Sequence, residues 1–199
     1  MCQLLETIKC KDGILFNMEF HQSRFEKAQK EYLGISPKIN LIDEIAVPEF
    51  AKNGLIRCRV TYSKQIDSIE FFPYQFRKIN SMKLIEHNEI DYRFKYSDRE
   101  KLDLLFEERG NCDDIIIVKN GYLTDSFVAN LVLFDGEKWW TPDTPLLLGT
   151  QRAKLIQEKK IFESRITIND FSKYKKIGLI NALNDFEEMQ FVSIENIYR

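Results

Sequence analysis

DIIIVKNGYLTDSFVANLVLFDGEKWWTPDTPLLLGTQRA, running from Asp114 to Ala153, is the stretch that decides how this chain folds. Ile115 to Val118 reads as a buried strand, and Asn120-Gly121 as a tight turn of the kind that needs positive φ. Leu131 to Phe134 forms a second strand, and Asp135-Gly136 turns again before Trp139, Trp140 and Thr141. Between these apolar runs stand Thr124, Asp125, Ser126 and Asn130, where a merely structural strand would prefer Val or Ile. Small polar groups at such positions read as a site. Gly149-Thr150 then opens an amphipathic segment with Ala153, Leu155 and Ile156. The backbone N–H groups at its start are able to hold an anion, although an ordinary helix start is the plainer reading of that pair alone.

Outward from this stretch the chain alternates strands and helices. Leu4 to Ile8 predicts a strand, Asp12-Gly13 a turn and Ile14 to Phe16 the returning partner. A helix is expected over Glu19 to Leu33, with Phe20, Phe25, Ala28 and Tyr32 as its apolar stripe and Gly34 as its stop. His21 and Arg24 lie three apart and share a face, and packing is the expected role of His21. Pro37 to Lys52 carries a second helical pattern, interrupted by Pro48. Leu55 to Tyr62 alternates as a strand, with Arg57 and Arg59 on one face and Ile56, Cys58 and Val60 on the other. The two arginines would either hold a substrate carboxylate or pair with surface acids. Ser68 to Pro73 pairs back, and Tyr74 to Met82 continues extended and basic.

Further on, Ser97 and Glu100 have capping-box spacing and predict a helix through Leu102, Leu105 and Phe106 to Gly110. After Thr150 a helix is expected to about Lys160. Arg165 to Ile168 then reads as a strand, Asn169 to Tyr174 as a short helical turn and Ile177 to Asn181 as a last strand, ending in Asn181-Ala182-Leu183-Asn184. These elements divide the chain into an N-terminal α/β domain over 1–86, a connection over 87–94 and a C-terminal α/β domain over 95–199.

The 29 basic and 31 acidic residues are interspersed, and a net charge of −2 argues against a nucleic-acid surface. Cys2, Cys10, Cys58 and Cys112 are scattered with no CxxC pair, so neither a metal site nor a disulfide framework is expected. No apolar run approaches the roughly 20 residues of a membrane span, and no signal-peptide pattern opens the sequence. A cytoplasmic protein with no membrane partner is the expectation.

TDSFVANL followed by TPxxxxLLGTxRAxLI resembles the class IV aminotransferase family of pyridoxal phosphate (PLP) enzymes. The resemblance implies a two-domain, D-amino acid aminotransferase-like α/β (α+β) fold, PLP in a cleft between the domains, a small-molecule amino substrate and a homodimer. It places the PLP lysine in RFKYSDRE, at Lys95, which by itself is only one of 29 basic residues. It gives Arg24, in His21-Gln22-Ser23-Arg24, to the cofactor phosphate along with Gly149, Thr150 and Asn181. The acid at the pyridine nitrogen falls on Thr124-Asp125, where the family usually has Thr-Glu, one methylene longer. Arg57, Arg59 and Arg99 are the substrate candidates. Asn-Ala-Leu after the last strand resembles the aminodeoxychorismate lyase branch, so the implied reaction is loss of pyruvate from 4-amino-4-deoxychorismate to give 4-aminobenzoate for folate synthesis. The alternatives are a transaminase of branched-chain or D-amino acids and a non-catalytic binding protein on the same fold. The usual first strand of the family is missing, which implies a shortened N-terminal domain.

Overall fold

A computed structural model describes residues 3–199, so Cys2 lies outside the described residues. The chain divides into two compact units. Among the described residues the first comprises 3–76 with the short return segment 94–98, and the second comprises 77–93 with 99–199.

The first unit is a four-stranded antiparallel sheet in the order β2-β1-β3-β4, built from β1 (Leu4–Lys11), β2 (Ile14–Leu15), β3 (Leu55–Tyr62) and β4 (Ile66–Pro73), with α1 (Met18–Glu31) and the four-residue α2 (Leu41–Glu44) between the second and third strands. Alternation along β1 and β3 sends Leu4, Ile8, Cys58, Val60 and Tyr62 into one core with Phe25 and Ala28 of α1. Phe25 meets Tyr62 edge-on at 4.6 Å. Fully burying each such ring stabilises the unit by roughly 1.5–3 kcal/mol. The buried stripe of α1 is His21, Phe25, Ala28 and Gln29, whereas Phe20 and Tyr32 are half-buried. The expected stripe was rotated because His21, counted as polar by periodicity, turns inward to a buried acid. The helical pattern over 37–52 breaks into α2 and a 3-10 turn (Glu49–Lys52), since Pro48 cannot continue a helix and instead caps the turn.

The second unit holds β5 (Met82–Glu86), α3 (Glu100–Glu107), β6 (Asp114–Lys119), β7 (Tyr122–Ser126), β8 (Asn130–Phe134), β9 (Trp139–Pro142), α4 (Thr150–Gln157), β10 (Phe162–Ser164), β11 (Lys176–Ile180), β12 (Phe191–Ser193) and β13 (Ile197–Tyr198). Seven of the strands follow the order β10-β9-β8-β7-β6-β5-β13, and β11 pairs with β8 along its length and with β12. Ile116, Val118, Leu123, Leu131, Leu133, Ile177 and Leu179 form the core. Asn120 and Gly121, at φ 52° and 79°, make the β6–β7 turn. Where a strand was expected over 165–168 the chain enters a 3-10 turn (Ile168–Lys173) capped by Thr167 and Asp170, and the strand lies earlier, at β10.

The contact boundary falls after Phe76 and not near residue 86, because β5 pairs in parallel with β6 and β13 and so belongs to the second sheet. Lys95 lies in the return segment of the first unit. The Ser97 capping box does not form. α3 starts two residues later, with Arg99 at its N-cap and no side-chain cap, because Ser97 N–H is taken by Gln3 O. No helix among the described residues is long and apolar enough to cross a membrane, and no cluster of three potential metal ligands occurs among them.

Candidate active site

In the first unit a buried polar knot forms on β1 and α1. Glu6 is fully buried; Oε1 accepts from Arg24 Nε at 2.9 Å, and Oε2 from Arg24 Nη2 at 2.5 Å and His21 Nδ1 at 2.6 Å. Burial alone would raise the carboxyl pKa, but the Arg24 charge and the His21 hydrogen bond together outweigh it and hold Glu6 at about 2. Burial is also the largest influence on His21, lowering its pKa so that the ring favours the neutral form despite Glu6. His21 therefore does more than pack. It completes the set of donors around Glu6 and, with it, fixes the attitude of the Arg24 fork.

Lys95 is the central residue of a tight turn, Tyr96 N–H donating to Phe94 O at 2.8 Å, and the turn is tied to β1 by a Leu4–Tyr96 bridge and by Leu5 N–H donating to Lys95 O at 2.9 Å. Phe94 and Tyr96 pack into the α1 core, and the charge of Lys95 acts on the buried His21 ring. The face of the sheet turned away from α1 carries Lys9, Arg57 and Arg59, since Thr7 registers with Arg59 and Lys9 with Arg57. Arg57 stacks on Phe72 at 5.1 Å. The Nε atoms of Arg57 and Arg59 are buried without a hydrogen-bond partner, and neither arginine forms an ion pair among the described residues. The reading of paired surface arginines does not describe them.

In the second unit the polar residues of the opening stretch gather around Asn130. Asp125 registers with Asn130 across β7 and β8, and Asn130 with Ile180 across β8 and β11, which brings Asn181 to the same end of the sheet. The Asp125 carboxylate accepts from Asn130 Nδ2 at 2.7 Å and from Leu147 N–H at 2.9 Å. Burial, the largest influence, pushes its pKa up to about 6 against these hydrogen bonds and the charge of Arg152. Thr124 is buried with its hydroxyl donating to Ile117 O at 2.7 Å, which makes it an anchor between β7 and β6.

Gly149 is the N-cap of α4, and no side chain caps that helix. Thr150 at its first position is buried. Asn181 Oδ1 accepts from Leu183 N–H at 2.9 Å, leaving Nδ2 as a donor without a partner among the described residues. Arg99 is engaged within the second unit. Its guanidinium donates to Phe127 O at 2.8 Å and Tyr92 OH at 3.3 Å and lies over the Phe127 ring at 4.6 Å, so it ties α3 to the β7–β8 turn.

A buried carboxyl lacking an ion-pair partner suits a protonated ring nitrogen, and an uncapped helix start beside a free amide donor suits a phosphate. The donor set of the second unit thus fits a phosphorylated pyridine cofactor. One residue of this arrangement was named in the sequence without a role, and another escaped it. Asn130 was visible only as one of several small polar strand residues, and Glu6 looked like one more of 31 acids until register placed it on the α1 side of β1.

Residues 93–193 match the family model for amino-transferase class IV. A Haemophilus influenzae protein of uncharacterized function is 44% identical over 186 residues, covering 92% of this chain and 99% of its own. The solved structure of a candidate 4-amino-4-deoxychorismate lyase from Haemophilus somnus 129PT is 37% identical with a TM-score of 0.87, covering 94% of this chain and 98% of that one. A hypothetical aminotransferase from Mycobacterium tuberculosis in its PLP-bound form shares the fold, with a TM-score of 0.77 at 16% identity over 96% of this chain and 80% of that one.

Proposed function

The chain belongs to the class IV aminotransferase family, and from that premise we propose that it is a PLP-dependent lyase that removes pyruvate from 4-amino-4-deoxychorismate to leave 4-aminobenzoate. The observation that carries the PLP reading is the Asp125 carboxyl, fully buried, held by Asn130 and Leu147, and without an ion-pair partner among the described residues. The lyase reading is supported by the near full-length similarity to the Haemophilus somnus protein and by the Asn181-Ala182-Leu183 turn.

In this reading Lys95 carries the cofactor covalently, Asp125 faces its ring nitrogen with Thr124 anchoring the strand behind, and Arg24, Gly149, Thr150 and Asn181 receive its phosphate. Bound PLP supplies an electron sink for the charge left when a proton departs from the carbon bearing the substrate amine. An ionised Asp125 keeps the ring nitrogen protonated and so strengthens that sink. Lys95 Nζ, as a free amine, would be the base that removes the proton from that carbon. Cleavage of the ring C–O bond would then expel the three-carbon side chain as the enolate of pyruvate, which takes up a proton at its CH2 carbon to become pyruvate, and the ring becomes aromatic. Atoms balance with no second substrate. Arg57 and Arg59 are the proposed contacts for substrate carboxylate, because they share one face of β3 and their buried Nε atoms have no hydrogen-bond partner among the described residues.

The test is incubation of PLP-loaded protein with 4-amino-4-deoxychorismate, reading pyruvate and 4-aminobenzoate together, beside Lys95→Ala. Equimolar release by the wild type and none by the variant is expected. Absence of both products, with amino-group transfer from branched-chain or D-amino acids to a keto acid instead, would replace the lyase by a transaminase.

A further inference from the structure

We infer that Asn130 is a positioning residue that sets the Asp125 carboxylate and the Gly149 turn in one fixed arrangement, so that the acid and the phosphate end of the proposed cofactor site are held by a single side chain. The inference rests on the assignment of Asp125 as the cofactor's acid and goes beyond it.

Three contacts converge on this one amide. Asn130 Nδ2 donates to Asp125 Oδ1 at 2.7 Å and also to Leu147 O at 2.8 Å, while Leu147 N–H returns a bond to Asp125 Oδ2 at 2.9 Å. The carboxylate, the amide and the Leu147 peptide therefore close a ring of hydrogen bonds, which fixes rotation of both side chains. On its other side the Asn130 carbonyl occupies the space next to Gly149: a methyl group added there would fall on Asn130 Oδ1. Gly149 has φ −68° and ψ 145°, which any residue adopts, so backbone conformation does not demand glycine here. The close approach of Asn130 does. The β8–β11 register puts Asn130 beside Ile180, one residue before Asn181, so it also neighbours the third proposed phosphate contact.

Chemistry makes the arrangement consequential. Asp125 is one methylene shorter than a glutamate and swings through a smaller arc, so its direction depends on what grips it. A buried carboxyl already raised to about 6 needs its donors to be ionised at neutral pH, and Asn130 is the side-chain donor among them. Arg152 on α4 is the charged group that also favours the ionised form, and its own guanidinium is bound to Pro142 O and Glu163. The titration of Asp125 reports the Asn130 grip, and PLP affinity reports whether that grip serves the cofactor.

The experiment follows the Asp125 carboxyl by 13C NMR against pH in the full-length apoprotein and measures PLP affinity in parallel. Asn130→Ala should raise the Asp125 midpoint by about one unit and weaken PLP binding about tenfold. Gly149→Ala alone should raise the midpoint as well, by pushing Asn130 aside, and should raise it no further when added to Asn130→Ala. Should the variants not fold, the wild type suffices: the Asn130 Nδ2 protons should shift with the same midpoint as the Asp125 carboxyl. A midpoint unmoved by Asn130→Ala, or Nδ2 protons indifferent to that titration, would overturn the inference. A midpoint that moves while PLP affinity stays the same would instead uphold the Asn130 grip and sink Asp125 as the cofactor's acid.

Discussion

Asp125 and Glu6 are both fully buried acids, yet their neighbours drive them in opposite directions. Glu6 is held at about 2 against an ordinary 4.5, so its ionised form stabilises the fold above pH 4.5, and that stability is lost as the pH falls toward 2. Glu6→Ala would leave Arg24 and His21 facing each other without an anion, and should cost about 3–5 kcal/mol at pH 7, measured by urea unfolding. Asp125 has the reverse sign. Its native form binds a proton that the unfolded chain has released between pH 3.8 and about 6, so this group makes apoprotein stability fall as pH rises through that window. The slope it adds should be absent from Asp125→Asn, which pH-dependent urea midpoints of the two proteins will show. Sequence reading reached Asp125 because polar residues between apolar runs stand out. It could not reach Glu6, whose role depends on which face of β1 meets α1.

At the scale of elements, what the sequence disclosed was local. The β6–β7 hairpin was legible because Asn120-Gly121 can adopt positive φ, as was α4 because its start follows directly on Gly149-Thr150. Gly121 at φ 79° should therefore tolerate alanine poorly, and Gly121→Ala should lower unfolding free energy by about 1–2 kcal/mol in chemical denaturation. What depended on distant partners was not legible. β5 read as a continuation of the N-terminal strands, yet its hydrogen bonds go to β6, some thirty residues on (Met82 with Asp114), and to β13 at the end of the chain. The start of α3 was misplaced for a like reason: Ser97 had the spacing of a cap, but its N–H is engaged by Gln3 at the other end of the first unit. Pro48 shows the converse, since a single residue with no N–H and a fixed φ was enough to break a plausible helical pattern.

Over the whole molecule, the candidate residues are shared between the two units. Arg24, Arg57, Arg59 and Lys95 belong to the first, and Thr124, Asp125, Gly149, Thr150 and Asn181 to the second. The return segment 94–98 explains how a lysine late in the sequence becomes part of the N-terminal sheet. Reading 87–94 as the connection put Lys95 at the head of the C-terminal domain, and only the contacts with β1 reveal that it belongs to the first unit. The central claim is that this lysine carries the cofactor. The direct measurement is to load the full-length protein with PLP, reduce it with borohydride, and map the pyridoxyl mass by peptide sequencing. The modification is predicted on Lys95, at one per chain and lost in Lys95→Ala; modification spread over other lysines, or retained in that variant, would contradict it.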